Sequence, residues 1–189
     1  MLDWETPLPA RLAVIVARQH GIADLADLLG AGMARSTVAL WARSGRLHRL
    51  HRGVYSLVPP GLLSREGHWL AAVRACGAGA VLSHASVAQL AWIVPPEARF
   101  ATHVSLSDRR RLRSPGIVVH RPVSLPPSDR TSRRGVPTTT LARKVWDLAA
   151  TESTRTVRRA YERRRAPGAS IPDGSGSSSR SAPTTEGPG

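Results

Sequence analysis

Apolar residues recur at helical spacing in three stretches near the start of the chain. Leu12, Ile15 and Val16 share one face of a helix that Pro9 can open and that runs to about His20, with Gly21 behind it as a stop. Ile22, Leu25, Leu28 and Leu29 predict a second helix over 22–29, broken by Gly30-Ala31-Gly32. Ala34, Val38 and Trp41 predict a third over about 34–44, ended by Gly45. Ala34 stands where a Ser or Thr would accept the orphan amides, a lapse worth ~1 kcal/mol, and Ser36 and Thr37 lie too far in to replace it. The period then changes. Residues 46–58 alternate around His51-Arg52-Gly53, predicting a two-stranded ribbon of 46–50 and 54–58. Leu47, Leu50, Val54 and Leu57 can pack back on the helices, while His48, Arg49 and Arg52 project outward. Three helices and a ribbon over 8–58 make a winged helix-turn-helix, and Pro59-Pro60-Gly61 marks its end.

The next pattern predicts a helix over 64–75 with Ser64 as a plain cap. Val81-Leu82 leads into Ser83, the expected N-cap of a helix through Ala91 that turns Val87, Leu90 and Ala91 inward and stops at Pro95-Pro96. Strands are expected at 101–106, 116–121 and 135–138, the first two forming a hairpin with a long basic loop at 108–113. Thr140 can cap a helix over 141–150, and a strongly basic helix is expected over 154–165. From residue 166 Pro, Gly, Ser and Thr dominate and no core can form. The expected class is α+β: an N-terminal winged helix-turn-helix at 8–58, a small mixed α/β domain at 62–165 and a disordered tail at 166–189.

Charge gives the first unit a purpose. The 189 residues carry 27 Lys and Arg against 13 Asp and Glu, a formal charge of +14. Lys144 is the only lysine; codon bias can choose arginine over lysine, but it does not explain why acids are half as common as bases. Such a surplus is the footprint of a nucleic-acid partner. It concentrates at 43–52, 109–113 and 155–165, where Arg109-Arg110-Arg111 and Arg163-Arg164-Arg165 are as often solvated surface as contact sites. The third helix turns Arg35, Ser36, Thr37, Ala39 and Arg43 away from Val38 and Trp41, as side chains that read a major groove would be turned. Arg49, His51 and Arg52 on the wing would hold adjacent phosphate or minor groove. Trp41, Val38, Leu47 and Tyr55 are scaffold.

Other chemistry is sparse. A single Cys76 excludes an internal disulfide and a Cys-rich zinc site, and its Ala/Gly/Val-rich setting suits a buried thiol. Ser83-His84 with Ser86 invites a nucleophile reading, but no acid nearby in sequence would orient the imidazole, and Ser83 suits a helix cap. The seven histidines show no paired metal spacing. Ala142 stands two positions before Lys144, so the acid-x-Lys element of a restriction-type nuclease is missing, as are P-loop and Rossmann glycines. The expectation is a protein with no catalytic residues, metal or cofactor. MLDWETPLPA lacks the basic start and apolar core of a signal peptide. No apolar run approaches the ~18 residues of a membrane span, so a soluble, cytoplasmic protein is expected.

The order of motifs resembles the AbiEi family of antitoxins. Gly45-Arg46-Leu47 with Arg52-Gly53-Val54-Tyr55 looks like that family's GxL…RGVY wing. Leu82-Ser83-His84-Ala85-Ser86-Val87-Ala88-Gln89-Leu90 resembles its LSHxSAAxL helix. Gly135-Val136-Pro137-Thr138-Thr139 with Arg143 and Asp147 resembles its G(I/V)PVT…RTLxDLA segment, with Lys144-Val145-Trp146 in place of Thr-Leu-Leu. The resemblance covers about 8–160. It implies a winged-helix repressor of its own promoter and a second domain that counteracts a nucleotidyltransferase-like toxin from the same operon. Double-stranded DNA and that toxin are thus the implied partners. Two alternatives stand beside it: a toxin-neutralising interaction module at 64–160 with little specific DNA binding, or a truncated relative of chains that continue into an endonuclease-like domain. Arg143 and Asp147, four apart, suit either an intrahelical ion pair or a domain interface.

Overall fold

In the computed structural model, residues 7–91, 101–108 and 114–143 are described. The first helix, α1 (Ala10–Arg18), starts after Pro9 and buries Leu12. The expected second helix is shorter than its apolar spacing predicts. Ile22–Asp24 is a strand, β1, and α2 (Leu25–Gly30) begins only after it. The reason is a capping box: the Asp24 carboxylate accepts the Asp27 N–H at 2.9 Å and the Asp27 carboxylate accepts the Asp24 N–H at 3.2 Å. That reciprocal pair fixes the helix start at Leu25. Helix α3 (Arg35–Arg43) follows Ala34, which supplies no side-chain cap, and buries Val38 and Trp41.

The ribbon forms as β2 (His48–His51) and β3 (Val54–Ser56), joined by Arg52 and Gly53, the latter at φ +73°. Strand β1 adds to its far side, giving an antiparallel sheet of order β1-β3-β2. Its register assigns the faces. Ile22, Ser56 and His48 stand in one cross-strand row, and Ala23, Tyr55 and Arg49 in the next. Because neighbouring rows point to opposite faces, the sheet serves two cores. Ala23 packs with Leu12, Leu28, Met33, Val38, Trp41 and Leu47, with Tyr55 against them. Ile22 and Val54 instead join Trp69, Leu70, Val73, Leu82 and Val104.

The element that takes Ile22 and Val54 is α4 (Arg65–Cys76), capped by Ser64, whose hydroxyl accepts the Gly67 N–H at 3.1 Å. It buries Trp69 through Val73 in succession and Cys76, so its middle turn is covered on all sides. On one side lies the wing sheet and on the other a five-stranded sheet. This second sheet contains β4 (Val81–Leu82), β5 (Thr102–Ser105), β6 (Ile117–His120), β7 (Arg130–Arg133) and β8 (Val136–Thr139), in the order β6-β5-β4-β8-β7. A short helix, α5 (His84–Leu90), packs on β5 and buries Val87 and Leu90. The chain is therefore layered: head helices, wing sheet, α4, five-stranded sheet. The α+β class with an N-terminal winged helix-turn-helix holds.

Two expectations for the second sheet are corrected. Strands β5 and β6 pair in parallel, with Thr102 opposite Ile117 and Ser105 opposite His120, so they are not a hairpin. The connection is long enough to carry the chain back to the same end, as a parallel pair requires. Strand β7 was not expected at all. Its Arg-Thr-Ser-Arg sequence has no apolar alternation, yet it pairs antiparallel with β8 across Arg134 and Gly135, both at positive φ, the backbone of a tight hairpin turn. Thr140 caps residues 141–143 as expected, its hydroxyl accepting the Arg143 N–H at 3.3 Å. The rest of the 141–150 helix, the basic runs at 109–113 and 154–165, Asp147 and the tail lie outside the described residues.

Candidate nucleic-acid interface

The buried stripe of α3 decides which side chains remain outside. Val38 and Trp41 are 2% exposed, and with 3.6 residues per turn Arg35, Ala39 and Arg43 fall in one line on the far side. All three are exposed, as is Ser36; Thr37, one turn before Trp41, sits half-buried at the edge of the stripe. Leu40 projects from the same outer face and is 40% exposed. It was not among the expected site residues. Its place on the helix surface between Ser36 and Arg43, at i−4 and i+3, was the available signal, and an apolar side chain there can meet a thymine methyl. The ring of Trp41 is covered by Arg46, whose guanidinium carbon lies 3.8 Å from the ring centroid. That cation–π contact joins the end of α3 to the start of the wing.

On the wing, Arg49 and Arg52 are exposed. Among the described residues, the guanidinium groups of Arg35, Arg43, Arg49 and Arg52 have no hydrogen-bonding or ion-pair partner. These four cations on α3 and the wing are thus available to an outside anion. His51 is placed differently. It stands in the row of Asp24 and Val54, half-buried. Its Nδ1 shares a hydrogen bond of 2.9 Å with the Ser114 hydroxyl. Burial lowers its pKa, and the nearby His68 lowers it further. Seven of the eight expected site residues lie on α3 and the wing away from the second sheet's contacts, while His51 turns toward Ser114, just before β6.

The Ser83-His84-Ser86 motif forms a separate, inward polar centre. Ser83 is fully buried at the start of α5 and its hydroxyl shares a hydrogen bond of 3.0 Å with His84 Nδ1. The His84 ring stacks on His120 at 3.6 Å between centroids, and His120 Nε2 lies 2.9 Å from His103 Nδ1. Ser86 accepts the His103 backbone N–H at 2.9 Å. These contacts tie α5 to β5 and β6. Among the described residues no group of three His, Cys, Asp or Glu side chains has the placing to hold a metal ion. Cys76 is buried, and burial raises its thiol pKa, with Arg121 acting in the opposite direction. No described helix is long and apolar enough to cross a membrane.

The elements from α1 to β3 form a winged helix-turn-helix head. Residues 11–58 match the model of the family described as "Transcriptional regulator, AbiEi antitoxin". The matched residues run from α1 through the wing, so the similarity is that of the first unit alone. Comparison with curated proteins gives no match.

Proposed function

We propose that the protein binds double-stranded DNA sequence-specifically and represses its own promoter, as part of a toxin–antitoxin pair. Helix α3 enters the major groove, where Arg35, Ser36, Thr37, Ala39 and Arg43 meet base edges and flanking phosphates. Arg49 and Arg52 hold the adjacent phosphate or minor groove, with His51 supporting the wing from behind. The observation that carries this reading is the set of four exposed, unpartnered arginines on α3 and the wing. The match of residues 11–58 to a transcriptional-regulator family supports it. A binding role without catalysis is supported by Ser83, whose hydroxyl is fully buried at a helix start and out of reach of a substrate. The partner of the second unit, on this reading, is a nucleotidyltransferase-like toxin from the same operon, and the site of action is the cytoplasm.

The test separates positioning contacts from reading contacts. Arg52→Ala weakens binding to every duplex and reduces the salt slope by about one. Thr37→Ala and Arg43→Ala change which duplexes are preferred, by roughly 1–3 kcal/mol at the affected base pair. If both classes of variant act equally on every sequence, the assignment is wrong.

A further inference from the structure

We infer that Arg74, on α4, is a positioning residue for DNA recognition, holding the reading helices and the wing turn in one register. The inference rests on the DNA-binding reading above. Arg74 belongs to the helix behind the wing sheet, yet its guanidinium reaches the junction between α1 and α2. Its Nη1 donates to Asp24 Oδ2 at 3.0 Å and lies 4.0 Å from Asp27 Oδ2. Its Nη2 donates to Gln19 Oε1 at 2.9 Å. Gln19 is the residue that ends α1, and Asp24 and Asp27 are the capping box that starts α2. One planar fork thus bridges two helix ends, a geometry that the single ammonium of a lysine cannot copy.

The same junction reaches the DNA-facing turn. Asp24 pairs with Val54 in the sheet, and the next amide, Leu25 N–H, donates to the Gly53 carbonyl at 2.9 Å. Gly53 shares that turn with Arg52. Forward along the chain, α2 leads through the 31–34 turn into α3, where the Met33 N–H is held by the Leu28 carbonyl at 3.1 Å. A displacement at Asp24 therefore shifts the wing turn against α3, the two parts that must meet adjacent stretches of one duplex. Arg74 also lets two carboxylates sit side by side at the start of α2, where they would otherwise repel. With two acids beside it, its charge is spent inside the protein and is not offered to phosphate.

The experiment uses the full chain and its Arg74→Ala and Arg74→Lys variants, at a temperature where melting curves show all three folded. Binding to duplex from the protein's own upstream region and to scrambled duplex is measured across a salt series. The expected result is that Arg74→Ala loses about tenfold in the ratio of the two affinities, the scale of coupling through a packed network, with an unchanged salt slope. Arg74→Lys recovers part of that ratio. A slope reduced by about one, with both duplexes weakened alike, would make Arg74 a phosphate contact and overturn the inference. So would an unchanged ratio. Failure of the unsubstituted protein to distinguish the duplexes would instead overturn the DNA reading. Amide exchange in the free protein tests the clamp without DNA: Arg74→Ala speeds exchange at Leu25 and Asp27, and unchanged rates there would overturn it.

Discussion

Four arginines of the head and four of the layers behind it have the same side chain and opposite circumstances. Arg35, Arg43, Arg49 and Arg52 stand exposed on α3 and the wing. Arg74, Arg134 and Arg143 instead face Asp24, Glu66 and Asp129 at 3.0, 3.1 and 2.8 Å, and Arg130 donates to the Leu125 carbonyl at 2.9 Å. A formal charge of +14 therefore does not describe a uniformly basic surface. Some of the cations hold layers together, and a small group on α3 and the wing is left exposed. Pairing, more than count, separates these four arginines, the ones proposed to bind, from those that build.

That contrast can be broken from either side. The largest effect is expected from replacing Arg35, Arg43, Arg49 and Arg52 together with alanine. DNA affinity in a gel-shift or anisotropy titration falls by about a hundredfold or more at low salt, and the melting temperature hardly moves. Gly67→Ala strikes the seam between head and second sheet. A Cβ there would lie 2.8 Å from the Leu63 side chain and 3.1 Å from the His20 carbonyl oxygen, so chemical denaturation reports a loss of about 1–3 kcal/mol.

Arg143→Ala tests a building arginine. It removes the bond to Asp129 and one to the Ser124 carbonyl at 2.9 Å, and the expected cost is about 1–2 kcal/mol of stability with DNA affinity unchanged. The smallest effect is that of pH on His51. Its pKa is lowered in the folded chain, so the unfolded chain takes up a proton first as pH falls through about 6.5. Stability present above that pH is lost below it, and in a pH series of melts His51→Asn flattens that part of the profile.

Much of this arrangement is legible in the sequence, for reasons that can be named. Val38 and Trp41 are spaced for one helix face, Ser64 precedes an apolar run, and Gly53 allows the wing turn. Each is a local cause with a local result. What escaped reading has non-local causes. Ile22 has helical spacing to Leu25 and Leu29, but it is recruited as a strand by β3; the Asp24–Asp27 pair was the one local sign that the helix starts later. Strand β7 is polar and forms because a hairpin turn places it beside β8. The parallel pairing of β5 with β6 depends on a crossover that periodicity does not encode. His51 reads as part of the wing turn beside Arg52, whereas it ends β2 and is turned inward by contacts with Ser114 and the nearby His68 that the local sequence does not encode.

On the proposed reading, the exposed arginines of the head read a particular DNA sequence. The most direct measurement is binding of the purified protein to duplex from immediately upstream of its own coding sequence, against scrambled duplex, as salt is raised. The account predicts that the upstream duplex is still held at ~150 mM salt, where the scrambled one is released because non-specific binding is mostly electrostatic. Equal loss of both duplexes along the same slope would contradict it.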